Sequence, residues 1–271
     1  MKSRRSPSSF EATMADAPVR LERDGPVAVL VLEDPPLNLF GASTFKSLNE
    51  CIAQVAISNA RAMVWRAEGE VFTGGVDVHT FQTDSSRSKE MFGALLATVR
   101  KIESLPIPTL ALVHALCLTA GMEISLGCDM IWAAESAKFG LVEAVVGLTP
   151  GAGGTQRVAE RAGPARAREF VMTGGLYDAA VLERWNVVNR VLPDEELLEK
   201  GMKFAHRLAA GPTRAHAATK RIIRAYLEDG VDKADRETPK VAASLFETED
   251  LRNAVRSFLE EGPGNATFEG R

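Results

Sequence analysis

Four short runs of this chain are almost wholly apolar: VAVLVL at 27–32, AMVW at 62–65, TLALV at 109–113 and MIWAA at 130–134. Runs of this length, too short for a buried helix and rich in Val, Ile and Leu, read as buried strands. Between them the spacing changes to that of helices. Asp34-Pro35-Pro36 is a turn signal, after which Ser43 is expected to cap a helix carrying Phe45, Leu48, Ile52 and Val55 on one face. Residues 87–103 repeat the pattern with Phe92, Leu95, Val99 and Ile102, and Pro106 and Pro108 stop that helix. Strands alternating with helices predict an α/β core whose strands pair largely in parallel.

From about Pro193 the strand signal stops. Segments near 194–209, 213–228, 233–247 and 248–260 are charged and helical in period, with apolar positions at Leu197, Phe204, Leu208, Ile222, Ile223, Val241, Leu245 and Phe258. Such faces need a cover, supplied either by the chain's own core or by a partner subunit. This divides the chain into a basic, Ser-rich extension over 1–16 read as disordered, an α/β core over 17–192 and a helical segment over 193–271. The extension lacks the apolar centre of a secretory signal.

Composition closes several routes. The 32 Lys and Arg against 36 Asp and Glu leave a formal charge of −4, so no global positive field points to nucleic acid or an anionic membrane. No apolar run approaches the ~20 residues of a membrane-spanning helix. Cys51, Cys117 and Cys128 are odd in number and lack CxxC spacing, which reads as buried reduced thiols in a cytoplasmic protein. The four histidines show no metal-ligand spacing, so no metal is expected.

Three segments can carry chemistry. In VFTGGVDV, 71–78, the paired glycines Gly74 and Gly75 permit a backbone path that aims main-chain N–H groups into a cavity; a tight turn without a ligand is the alternative. In LTAGMEISLGCD, 118–129, small residues open a helix whose free N–H groups suit a developing negative charge, and Glu123 stands among apolar neighbours. Two readings fit Glu123: a partly exposed helix-start carboxylate, or a buried acid whose desolvation serves a reaction. In FGLVEAVVGLTPGAGGTQR, 139–157, Glu143 is a second acid in apolar company. The Gly-rich turn there lacks the Lys-Ser/Thr of a phosphate loop and the last glycine of GxGxxG, and no G-x-S-x-G occurs in the chain. Two carboxylates beside loops of N–H donors suit proton transfer next to a carbonyl whose oxygen becomes negative.

FTGGVDV, LTAGMEISLGCDMIWAAESAKFG and LVEAVVGLTPGAGGTQR, in this order and spacing, resemble the enoyl-CoA hydratase/isomerase (crotonase) superfamily, and the likeness runs from about Val27 to Arg271. The resemblance implies a spiral of ββα repeats followed by a helical segment that builds homotrimers, often paired into hexamers. It implies an acyl-CoA substrate, with CoA part of that substrate and no separate cofactor. Glu123 and Glu143 match the two glutamates of hydratases, which place a water and add it across the 2,3 double bond. The residue matching Glu143 exchanges the C2 proton and the one matching Glu123 helps activate the water. Val76 and Ala120 match the backbone donors to the thioester oxygen. Gly75, Asp77, Val78, His79 and Gly121 fall in the substrate-binding segments, and the Gly151 N–H is expected to help hold the water.

The sequence also departs from that pattern. Thr119-Ala120-Gly121 replaces a run of three glycines, narrowing the space beside the backbone donors. His114-Ala115 replaces an Asn-Gly pair, with His114 read as a structural histidine or a pocket group. His79 stands where relatives often carry a lysine, and the C-terminal stretch LEEGPGNATFEGR lacks the basic cluster that often serves CoA. Residues 79–92 are expected to line the acyl pocket as a loop. Hydration of 2-enoyl-CoA is the leading expectation; Δ3,Δ2-isomerisation, or acyl-CoA binding without catalysis, are the alternatives.

Overall fold

The computed structural model describes residues 17–79 and 88–271. The 1–16 extension and most of the anticipated 79–92 pocket loop lie outside the described residues.

The four apolar runs become the centre of one sheet. In chain order the elements are β1 (Val19–Asp24), β2 (Val27–Leu32), α1 (Ala42–Ala56), β3 (Ala62–Ala67), α2 (Ser88–Glu103), β4 (Thr109–Val113), β5 (Cys117–Leu118), α3 (Thr119–Leu126), β6 (Met130–Ala134) and β7 (Lys138–Gly140). There follow a 3-10 turn (Glu143–Val146), α4 (Gly154–Ala162), α5 (Pro164–Thr173), β8 (Tyr177–Asp178), α6 (Ala179–Arg184) and β9 (Arg190–Leu192). The last elements are α7 (Asp194–Ala210), α8 (Thr213–Leu245) and α9 (Glu249–Glu261). The large sheet has the order β1-β2-β3-β4-β6-β9, and only the β1–β2 hairpin is antiparallel. All six residues of β2 and all five of β4 are buried, as parallel strands covered on both faces require.

A second layer gives the fold its repeat. After β2, β3, β4 and β6 the chain adds a short extended stretch that pairs sideways with its counterpart: Phe40 with Val76, Thr73 with Cys117, and β5 with β7. Helices follow these stretches, so each turn of the chain reads strand, short strand, helix. This second layer brings the 73–76 and 117–121 segments together.

The sequence missed β1, β5, β7, β8 and β9. The last four have only two or three residues each, too short to show a period, and β1 is a half-exposed strand at the sheet edge. Ser43 does not cap α1. The helix begins two residues earlier, from Gly41, whose position makes no side-chain cap, and the Thr44 hydroxyl instead donates to the Leu39 carbonyl at 2.9 Å.

The helical tail divides in its packing. α7 lays Leu197, Gly201, Ala205 and Ala209 against the large sheet. α8 breaks at Asp229-Gly230, where Gly230 takes a φ of 73°, close to the interruption anticipated after residue 228. Along α8 and α9 and the turn between them, Ile223, Tyr226, Leu227, Val231, Phe246, Phe258 and Leu259 remain exposed. The C-terminus folds back: buried Asp250 accepts the Glu269 and Gly270 N–H groups at 2.7 and 2.9 Å. Among the described residues no helix is long and apolar enough to cross a membrane. The three cysteines are free and buried, and burial raises the pKa of each thiol.

Candidate active site

Helix α3 has no wet face. All eight of its residues are buried, so Glu123, 2 % exposed, goes inside with them. Of the two readings of this glutamate, the exposed helix-start carboxylate is excluded. Its Oε1 accepts two hydrogen bonds of 2.8 Å, from the N–H groups of Ala152 and Gly154. Those donors converge because Gly153 between them takes a φ of 99°, a left-handed conformation that turns neighbouring N–H groups to one side. The Gly-rich turn that fails as a nucleotide loop is thus a cradle for a side-chain anion.

Arg157 straps this cradle from behind. It is buried, holds Glu103 of α2 through two parallel bonds of 2.7 Å, and donates to the Gly153 carbonyl at 3.1 Å. Burial raises the Glu123 pKa above the ordinary value, while the Gly154 and Ala152 N–H groups and the Arg157 charge pull it back down.

Glu143 opens the 3-10 turn and is 9 % exposed. Its Oε2 is buried with no hydrogen-bond partner among the described residues. Burial, and then the negative charge of Glu123, push its pKa up to about 7. Glu123, held by N–H donors, therefore ionises first, and Glu143 keeps its proton to near neutrality.

The second half of the site is made of backbone. The 73–76 stretch, docked on β5, delivers Gly75, φ 100°, and Val76 to the start of α3. A side chain at Gly75 would overlap Thr119: an added Cβ would lie 2.3 Å from the Thr119 Oγ1. Ala120, the second residue of α3, has no acceptor for its N–H within the helix, as expected of a helix start. Gly121 is buried beside it.

The Val76 N–H is not free. It donates to the Thr119 hydroxyl at 2.9 Å, so one of the two expected oxyanion donors is already engaged. This contact was not legible in the sequence, which showed only that Thr119 narrows the space.

The remaining predicted residues spread outward. Gly151 lies under the Phe92 ring of α2, close enough that an added Cβ would come within 2.3 Å of two ring carbons. Asp77 is half-buried, Val78 and His79 are exposed, and the His79 Nδ1 lies 2.8 Å from the Asp77 Oδ1. The His114 Nε2 lies 2.9 Å from the Gly69 carbonyl oxygen, and the ring sits by Phe72, which fits the structural reading of that histidine. A cavity of about 670 Å³ lies elsewhere, among Arg100, Glu103, Asp129, Glu160, Arg161 and Lys220, and none of the predicted site residues lines it. Its walls mix both signs of charge and hold neither Glu123 nor Glu143.

A family model described as enoyl-CoA hydratase/isomerase matches residues 22–271. The chain is 30 % identical to a short-chain-enoyl-CoA hydratase of Clostridium acetobutylicum over 90 % of its length and 95 % of that protein. It is 30 % identical to a crotonyl-CoA hydratase of Syntrophomonas wolfei over 93 % of its length and 98 % of the relative. Its structure overlays that of an enoyl-CoA hydratase from Bacillus anthracis with a TM-score of 0.88 at 25 % identity, covering 94 % of this chain and 100 % of the other.

Proposed function

This chain belongs to the enoyl-CoA hydratase/isomerase family and has the crotonase fold, and from that premise we propose that it adds water to 2-trans-enoyl-CoA thioesters, giving 3-hydroxyacyl-CoA. The observation that carries the proposal is the unequal state of the two buried glutamates. Glu123 presents an anion whose Oε1 is anchored by two N–H groups, while its Oε2 makes no hydrogen bond among the described residues. Glu143 holds a proton to about pH 7 on a carboxyl group with an unpartnered oxygen. One acid is set to accept and the other to donate.

The reaction needs both. Glu123 takes a proton from water as the water oxygen bonds to C3. The C2–C3 π electrons move toward the thioester, whose oxygen becomes negative and is held by N–H and O–H donors at the 76/119–120 junction. Glu143 then delivers its proton to C2, and the product carries the hydroxyl at C3 and the new hydrogen at C2. General acid–base groups of this kind contribute roughly 10²–10⁴ in rate, and each oxyanion donor about 10²–10³. CoA travels as part of the substrate, so the reading needs no separate cofactor or metal.

A second reading shares the site. An acid near neutrality with a free oxygen can both take and return a proton, so Glu143 also suits migration of a 3,4 double bond to the 2,3 position. The test is loss of the enoyl-thioester ultraviolet band when the protein meets crotonyl-CoA, run beside a 3-enoyl-CoA. Hydration of crotonyl-CoA is the expected result. Conversion of the 3-enoyl thioester alone would make the protein an isomerase, and no reaction with either would leave an acyl-CoA binder.

The exposed apolar side chains of α8 and α9 favour a homotrimer, or a hexamer of two trimers, with 193–271 as the assembling segment. Light scattering on the eluting protein checks this, and a monomer overturns it.

A further inference from the structure

We propose that the Thr119 hydroxyl is itself an oxyanion donor in this protein, inserted between the Val76 N–H and the thioester oxygen; the proposal rests on the hydratase reading above. The Val76 N–H donates to the Thr119 Oγ1 at 2.9 Å, which occupies the backbone donor expected to meet substrate directly. The bond from Val76 uses only a lone pair of Oγ1, so the hydroxyl hydrogen stays available, and it donates to no acceptor among the described residues. A hydroxyl that accepts from a backbone amide is polarised and becomes a better donor. The position left for its proton is the position from which Val76 was expected to act, one bond further out.

Three features hold the hydroxyl there. Thr119 is 8 % exposed, so its side chain has little room. It fills the notch left by Gly75: an added Cβ at Gly75 would lie 2.3 Å from the Thr119 Oγ1 and 3.3 Å from both Cβ and Cγ2. Its backbone sits at φ 44°, a region where a β-branched residue is an outlier. Such a residue is also stiff at χ1, and swinging the hydroxyl aside breaks the bond to Val76. The oxygen of the bound thioester is then gripped by the Thr119 O–H and the Ala120 N–H, with Val76 behind the hydroxyl as its support. Thr119 keeps its proton throughout; it stabilises charge and transfers nothing.

Three variants separate this arrangement from a hydroxyl that merely turns away. Thr119→Val keeps the shape but puts a methyl over the Val76 N–H. Thr119→Ser keeps the hydroxyl. Thr119→Gly removes the side chain and opens Val76 directly, at a backbone angle glycine accepts. Each is read by kcat on crotonyl-CoA, by the red shift of a bound chromophoric enoyl-CoA that reports carbonyl polarisation, and by thermal unfolding to verify the fold. Thr119→Val is expected to lose about 10²–10³ in kcat and most of the red shift. Thr119→Ser recovers the larger part of both, and Thr119→Gly exceeds Thr119→Val. A folded Thr119→Val within about threefold of wild type in rate, with an unchanged red shift, overturns the role of the hydroxyl while leaving hydration intact. The converse pattern, a wild type that does not hydrate crotonyl-CoA but a red shift lost in Thr119→Val, overturns the hydratase reading and leaves the hydroxyl donor standing.

Discussion

The segments carrying Glu123 and Glu143 treat the same side chain in opposite ways. Within α3 the fold surrounds a carboxylate with two amide donors and an arginine strap, satisfying the anion. At the 3-10 turn it buries a carboxylate oxygen and gives it no partner among the described residues. Desolvation raises both acids, but Glu123 gains several backbone donors and the Arg157 charge in compensation, whereas Glu143 gains only its own backbone N–H. Two acids of equal pKa would share a proton ambiguously. Unequal surroundings sort them into a base and an acid.

The largest expected effects come from neutralising each acid in turn. Under the proposed mechanism Glu143→Gln removes the proton carried to C2 and Glu123→Gln removes the acceptor for the water proton, and each is expected to lower kcat for crotonyl-CoA hydration by ~10²–10⁴. Exchange of the C2 hydrogen of a saturated acyl-CoA with deuterated solvent sharpens the contrast. It should vanish in Glu143→Gln and persist in Glu123→Gln, and the reverse pattern would swap the assignments.

Stability should divide the same pair with opposite signs. The ordinary glutamate value is 4.5 and folded Glu143 titrates at about 7, so the folded protein holds an additional proton between those pH values. Stability from this group is therefore present at low pH and lost as pH rises through 7. Glu143→Gln cancels that loss. At pH 8 it should be more stable than wild type by on the order of 1–3 kcal/mol, since a tenfold change in proton affinity is worth about 1.4 kcal/mol. Glu123→Ala leaves the Ala152 and Gly154 N–H groups without their acceptor and should cost about 1–3 kcal/mol per unsatisfied group. Denaturant unfolding at pH 5 and 8 measures both, and a Glu143→Gln protein less stable than wild type at pH 8 breaks the comparison.

What the sequence disclosed follows the same divide. The buried strands were legible because β2, β3, β4 and β6 have almost no polar residues, and both glutamates stood out as acids in apolar runs. The family was legible from three motifs, and the structural and sequence relatives bear it out. Contacts between loops distant in the chain were not legible. Nothing local tells that Gly154 donates to Glu123, that Phe92 covers Gly151, or that Val76 turns its N–H to Thr119, since each depends on how the second layer stacks. Ser43 misled because a serine before a helix usually caps it, whereas here the chain enters α1 from Gly41.

The smallest expected effect tests whether the strap behind Glu123 belongs to the sorting of the two acids. Arg157 does not face Glu123 through a hydrogen bond; it holds the Gly153 carbonyl at 3.1 Å and is itself fixed by Glu103 from α2. Its influence therefore runs through the shape of the 152–154 turn and through its charge, which lowers the Glu123 pKa. Glu103→Gln breaks the doubly charged, two-bond grip without touching Glu123 or Glu143. Small displacements of positioning groups weaken catalysis because the reacting atoms leave their attack geometry. A loss of about 3–10-fold in kcat is expected, with KM for crotonyl-CoA nearly unchanged, because the turn orients the base rather than gripping CoA. The ascending limb of the pH–rate profile should move with it, since the Glu123 carboxylate sets that limb, while the Glu143 limb near pH 7 stays in place. If KM rises and both limbs hold still, α2 is carrying the acyl chain through neighbours such as Phe92, and the arginine strap is structural only.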